Sequence, residues 1–187
     1  EVRVILSPQQ RRSFFTTLKQ RAAYHGKEEL IDVYLCPQSA TSFKEIEMNE
    51  VGSYSLRLRK RSDARGIVIH LNSKIITRKG DHNAWKEHEV ALDSLEETLA
   101  ILKAIGFKPY FTLEKTRHKF ILAPFTILLE DIKGFKPILE IEIMTTHRKV
   151  EQAKRLIYGF LKKFSIKKEQ TVRKSVTNLL MHERASF

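Results

Sequence analysis

The sequence predicts an α+β fold: an eight-stranded antiparallel sheet closed on itself as a tunnel-like β-barrel with a charged lumen, its helices packed on the outside. Three observations predict it. Short alternating stretches outnumber helical ones, and hairpin-length connections join most of them. Strand after strand keeps its charges on one face and its apolar residues on the other. Each charged face carries a block of one sign, whereas a solvated outer face mixes signs. A sheet that closes with its charges inward leaves the apolar faces outside, where helices can cover them.

The elements follow in order. EVRVIL alternates and reads as a strand, and from Pro8 to about Tyr24 the period turns helical, with Phe14, Phe15 and Leu18 on one side. LIDVYLC is a second strand, with a polar loop at PQSATS. YSLRLRKR and IVIHLNSKIITRK are strands three and four, joined by a turn at Asp63–Gly66. GDHN marks another turn before WKEHEVAL, the fifth strand. DSLEETLAILKAIG is a helix, with Ser94 and Glu97 at capping-box spacing and Gly106 at its end. YFTLEKTRHKFIL, FTILLED and ILEIEIM complete the strands. THRKVEQAKRLIYGFLKKF is an amphipathic helix that turns Val150, Ala153, Ile157, Phe160 and Leu161 to the core. A last short helix takes in Val172, Val176, Leu179 and Leu180.

A chain of 187 residues suits one domain, residues 1–187. No apolar run reaches the roughly 18 residues of a membrane helix, so no membrane partner is expected. Cys36, the single cysteine, excludes an internal disulfide and fits a cytoplasmic setting. Lys and Arg total 34 against 22 acidic residues, a formal net charge of +12, which points to an anionic partner.

The charged faces say more. Arg57, Arg59 and Arg61 share one, His70, Asn72 and Lys74 another, and Glu87 and Glu89 a third. Lys115, Arg117 and Lys119 line up in the sixth strand, although Glu114, Thr116, His118 and Phe120 opposite them are not cleanly apolar. Glu130 ends the seventh strand, and Glu140 and Glu142 interrupt the otherwise apolar eighth. Like charges crowded into a lumen lose solvation unless something neutralises them. A polyanion held by the basic residues, with Mg²⁺ or Mn²⁺ held by the carboxylates, would do so. His70, His88 and His118 lack zinc-like spacing and read as half-exposed strand histidines.

These residues match a known pattern. SLRLR resembles an A-L-R-x-R strand, LNSK an L-T-x-K, KEHE an E-x-E and EKTR a K-x-R. ILLEDIKGFKPILEIE resembles D-x-V-x-G-L-G-x-F-x-E-I-E, and KSVTNLL resembles S-Y-x-x-L-L. Six motifs in one order resemble the CYTH superfamily, the triphosphate tunnel metalloenzymes, which include class IV adenylyl cyclases and thiamine or inorganic triphosphatases. The family's first strand reads E-x-E-x-K. The best fit puts Glu1 at the second glutamate and Arg3 at the lysine, with the first glutamate falling before residue 1. Glu130 stands where the family has Asp, Lys136 for a glycine, Val176 for the tyrosine and Asn72 for the threonine.

The resemblance implies divalent-metal-dependent hydrolysis of a triphosphate: inorganic triphosphate, thiamine triphosphate or a nucleoside triphosphate. It implies metal ligands at Glu1, Glu87, Glu89, Glu130, Glu140 and Glu142, and substrate contacts from Arg57, Arg59, Lys74, Lys115 and Arg117. Glu1, Arg3, Lys74 and Arg117 are the catalytic candidates. Two alternatives stay open: cyclisation of ATP to cyclic AMP, and a non-catalytic module for polyphosphate or an RNA 5′ end. A triphosphate small molecule is the expected partner; a nucleic acid is less favoured, and a homodimer stays open.

Overall fold

The structure, a computed structural model, describes residues 1–77, 85–144, 149–172 and 175–182. Its elements in chain order are β1 (Val2–Ile5), α1 (Pro8–Arg21), β2 (Ala23–Pro37), α2 (Phe43–Ile46), β3 (Tyr54–Asp63), β4 (Gly66–Ile76) and β5 (Trp85–Leu92). Then come α3 (Leu95–Ala104), β6 (Phe107–Leu122), β7 (Phe125–Ile132), β8 (Ile138–Glu142), α4 (Val150–Lys162), β9 (Thr171–Val172) and α5 (Val176–His182). The chain is α+β, and its strands form one sheet in the order β5-β4-β3-β2-β6-β7-β8-β1-β9, with antiparallel registers.

The sheet differs from expectation in two ways. It has nine strands, because Val172 pairs with Arg3 in β9 and does not join the last helix. Its hydrogen-bonded order is linear: among the described residues no pairing joins β5 to β9, so the expected closed barrel becomes an order with two ends. The predicted GDHN turn, residues 80–83, and the residues 146–148 that open the predicted THRKVEQ helix lie outside the described residues.

By its contacts the chain divides into two compact units. The first comprises Glu1–Glu28 and Lys115–Ser175. In it β1, β7 and β8 turn one face to the helices. Val2, Val4, Ile127, Leu129, Leu139 and Ile141 are buried on one face, where α1 lays Phe14 and Leu18 and α4 lays Ile157, Phe160 and Leu161. Phe14 stacks on Phe164 at 4.2 Å between ring centroids. The opposite face carries Glu1, Arg3, Glu130, Glu140 and Glu142, with Leu128 and Ile138 buried among them. The mixed face of β6 is explained here too: His118 lies beside α1, its Nδ1 2.9 Å from the Tyr24 hydroxyl and its ring edge-on to Phe15.

The second unit comprises Glu29–Glu114 and the chain from Val176 onward. Its core is smaller: Leu35, Leu58 and Leu102 are buried, with Val33, Leu56, Leu71, Leu92, Leu99 and Phe107 around them, so α3 covers one face of β2, β3, β4 and β5. The uncovered face carries the arginines. Gly66, at φ +127°, closes the β3–β4 hairpin in a conformation that only glycine adopts without strain.

Candidate functional site

In the first unit, strand registry brings the acidic residues together. Arg3 pairs with Glu140 across β1 and β8, and alternation puts Glu142 on the same face. Glu1, one alternation before Arg3, joins them. One carboxylate oxygen from each of Glu1, Glu140 and Glu142 lies within 4.8 Å of the others. Arg3 lies in the middle, forming ion pairs with Glu1 and Glu140. With all three carboxyls ionised, as a bound cation would require, the cluster and Arg3 together would carry two negative charges, matching one divalent ion. The donor set is all hard oxygen, the chemistry that Mg²⁺ and Mn²⁺ prefer. The electrostatics agree. Burial, then the neighbouring Glu140 and Glu1, push the Glu142 carboxyl up to about 7. The guanidinium of Arg3 is buried as well, yet Glu140 and Glu1 hold its pKa above the usual value.

A second cluster lies beside the first. Glu130 pairs with Arg117 across β7 and β6 and is 1% exposed. Lys115 Nζ donates to its two oxygens at 2.8 and 2.9 Å, and Arg117 donates from Nε at 2.8 Å. Burial alone would raise the Glu130 pKa, but Lys115 and Arg117 outweigh it and hold the carboxyl down at about 2. Arg117 Nη1 lies 3.9 Å from Glu28. Glu130, predicted as a metal ligand, thus has both oxygens on cations. The next residue, Asp131, points to the helix side, where Arg11 Nε reaches it at 2.9 Å.

In the second unit, β3 and β4 carry the basic residues predicted to hold phosphate. Arg59 forks onto Asp32, with Nε on Oδ1 at 2.6 Å and Nη2 on Oδ2 at 2.7 Å. Arg57 Nη1 lies 3.5 Å from the same Asp32 Oδ2, and its Nη2 reaches Asn72 Oδ1 at 3.4 Å. Asn72 in turn donates to Glu89, and Lys74 Nζ donates to Glu87 at 2.8 Å. Glu87 and Glu89 are more than half exposed, and His70 Nε2 lies 3.9 Å from Glu89. The register Asn72↔Glu89 and Lys74↔Glu87 accounts for both pairs.

Sequence reasoning missed Asp32, Glu28 and the Arg11–Asp131 pair. Asp32 had one signal: a lone carboxylate in an apolar strand, in a chain whose next predicted strand carries arginines at alternate positions. Finding the pair needed the β2–β3 register, which no local pattern supplies.

Comparison with known proteins places this geometry. No curated protein matches the chain. Among solved structures, a protein from Pyrococcus horikoshii OT3 shares 20% identity, with a TM-score of 0.76 over 98% of each chain. A candidate adenylate cyclase from Vibrio parahaemolyticus shares 16% identity at a TM-score of 0.73, over 96% of this chain and 95% of its own. A candidate adenylyl cyclase from Hippeastrum, described as having a dominant triphosphatase activity, shares 16% at 0.68, over 98% and 96%. At these identities the likeness is one of fold. The CYTH domain profile, however, matches residues 1–176, nearly the full length, and by that match the chain belongs to the CYTH domain family.

Proposed function

We propose that this chain is a divalent-cation-dependent phosphohydrolase acting on a triphosphate. The observation that carries the reading is the convergence of Glu1, Glu140 and Glu142 within 4.8 Å, beside the cations of β6. In this reading the three carboxylates hold Mg²⁺ or Mn²⁺. When bound, the ion supplies charge neutralisation at phosphate oxygens and a water that loses its proton more readily. The chain's own residues do the rest. Arg3 holds the Glu1 and Glu140 carboxylates through its two ion pairs. Arg117, anchored on Glu130 by one edge, offers its guanidinium to charge that develops on the transferring phosphoryl group. Lys115 adds positive charge on the same face. Arg57, Arg59 and Lys74 form the second phosphate-binding group of the reading, and Glu87 and Glu89 its second acidic pair.

The test is phosphate release from inorganic triphosphate, thiamine triphosphate and ATP with Mg²⁺ or Mn²⁺. Release should require the cation and fall about 100-fold or more in Arg117→Ala. A folded wild-type protein that releases no phosphate from any of them would overturn the hydrolase reading. The likeness to candidate cyclases adds one arm: cyclic AMP and pyrophosphate from the ATP sample would replace hydrolysis with cyclisation.

A further inference from the structure

Asp32 has no place among the residues that carry the family resemblance, yet it is buried to 0% exposure in the face that holds the arginines. A buried carboxylate is costly unless its oxygens are bonded, and a cation that only neutralises it needs no particular orientation. The geometry here is particular. Arg59 meets both oxygens edge-on at 2.6 and 2.7 Å, a two-pronged contact that fixes the plane of its guanidinium. Arg57 is held differently, by two long polar contacts of 3.5 and 3.4 Å, to Asp32 and Asn72, with its guanidinium 5.9 Å from the centre of the Tyr34 ring. Its Nε is buried and has no hydrogen-bond partner. A buried donor without a partner is uncommon in a folded protein, and a group from outside the chain is one thing that can satisfy it. The cluster of two guanidinium groups and one carboxylate keeps a net charge of +1.

We infer that Asp32 is a positioning residue for phosphate binding: it sets the plane of Arg59 and draws Arg57 onto the same carboxylate, so that both guanidinium groups are prearranged for the oxygens of a phosphate chain. The inference rests on the reading of Arg57 and Arg59 as phosphate ligands. It has a distinctive sign. By charge alone, Asp32 repels an anion, and removing it should tighten phosphate binding. By positioning, removing it should weaken binding, because the arginines lose the group that holds them in place.

The experiment uses the full chain with inorganic tripolyphosphate as the probe, by titration calorimetry in chelator, where turnover is absent. Asp32→Asn keeps the shape and removes the charge. Its Kd for tripolyphosphate should rise at least tenfold. A purely structural lesion would lower Tm and the number of binding-competent molecules while leaving Kd alone. An unchanged or smaller Kd in folded Asp32→Asn overturns the inference. If Asp32→Asn does not fold, Asp32→Asn/Arg59→Gln is compared with Arg59→Gln alone: weaker binding by the pair variant supports positioning through Arg57, and equal or tighter binding overturns it. The parent reading separates cleanly. A wild type that binds tripolyphosphate but releases no phosphate with Mg²⁺ or Mn²⁺ overturns hydrolysis, and the Kd comparison still decides on Asp32. A wild type that binds none overturns both.

Discussion

Glu130 and Glu142 sit on adjacent strands of one sheet and respond oppositely to pH. Glu130 is held at about 2 against an ordinary 4.5, so its ion pairs stabilise the fold fully above pH 4.5 and lose that effect as pH falls through 2. Glu130→Gln leaves Lys115 and Arg117 without their buried counter-charge and should cost roughly 3–5 kcal/mol at neutral pH. Urea denaturation at pH 7 measures it, and a cost under 1 kcal/mol would show that the cations find other partners. Glu142 is raised to about 7, so between 4.5 and 7 the unfolded chain sheds a proton that the folded chain keeps. Its contribution therefore lowers stability as pH rises through that window and levels off above 7. With a partly exposed carboxyl the full shift is discounted. In chelator, Glu142→Gln should be more stable than wild type by about 1–2 kcal/mol at pH 8, with the difference vanishing near pH 4.5. The reverse order at pH 8 would mean that Glu142 is not crowded by Glu140 and Glu1. Glu140 and Glu142 were legible in the sequence because charge in an apolar run stands out. Asp32 also interrupts an apolar run, but it stands alone there, and its link to the arginines appears only in the β2–β3 register.

At the scale of elements, existence was easier to read than extent. The helix was placed from Pro8, where it does begin, but its capping box went unread: Ser7 accepts from the Gln10 backbone while the Gln10 side chain accepts from the Ser7 N–H. At the Ser94 helix, where a box was expected, Ser94 accepts from the Glu97 N–H and forms one half of it. Ser7→Ala should cost about 1 kcal/mol, with Phe14→Ala costing a further 3–5 kcal/mol by itself because Phe14 is 1% exposed against α4's end of the core. Thermal melts rank them, and equal costs would mean that the helix start is carried by packing alone. β2 begins at Ala23, seven residues ahead of the predicted start at Leu30, because its first half alternates between exposed and half-buried residues, most of them not apolar, and has no hydrophobic face to advertise. β9 was unreadable for a plainer reason: two residues hold no period, and only pairing with β1 makes them a strand.

At the scale of the molecule, the formal charge of +12 sits beside a cluster of three glutamates, and the two features make separable predictions. A polyanion drawn by net charge is screened by salt, whereas half-buried ion pairs are screened less. Ligands that bind only the folded chain raise its stability by about 2.7 kcal/mol at a hundredfold excess over Kd, which for a chain of this size is a Tm shift of roughly 5–10 °C. Tripolyphosphate alone should give part of that shift, and the part should shrink as salt rises. Adding Mn²⁺ should increase it further, and chelator should remove only the increment. Glu140→Gln takes a ligand out of the acidic cluster without touching β3 or β4, so it should abolish the Mn²⁺ increment and keep the tripolyphosphate shift. Differential scanning fluorimetry across these conditions reads both components at once. An increment that survives Glu140→Gln would move the cation away from Glu1, Glu140 and Glu142 and toward the more exposed pair, Glu87 and Glu89.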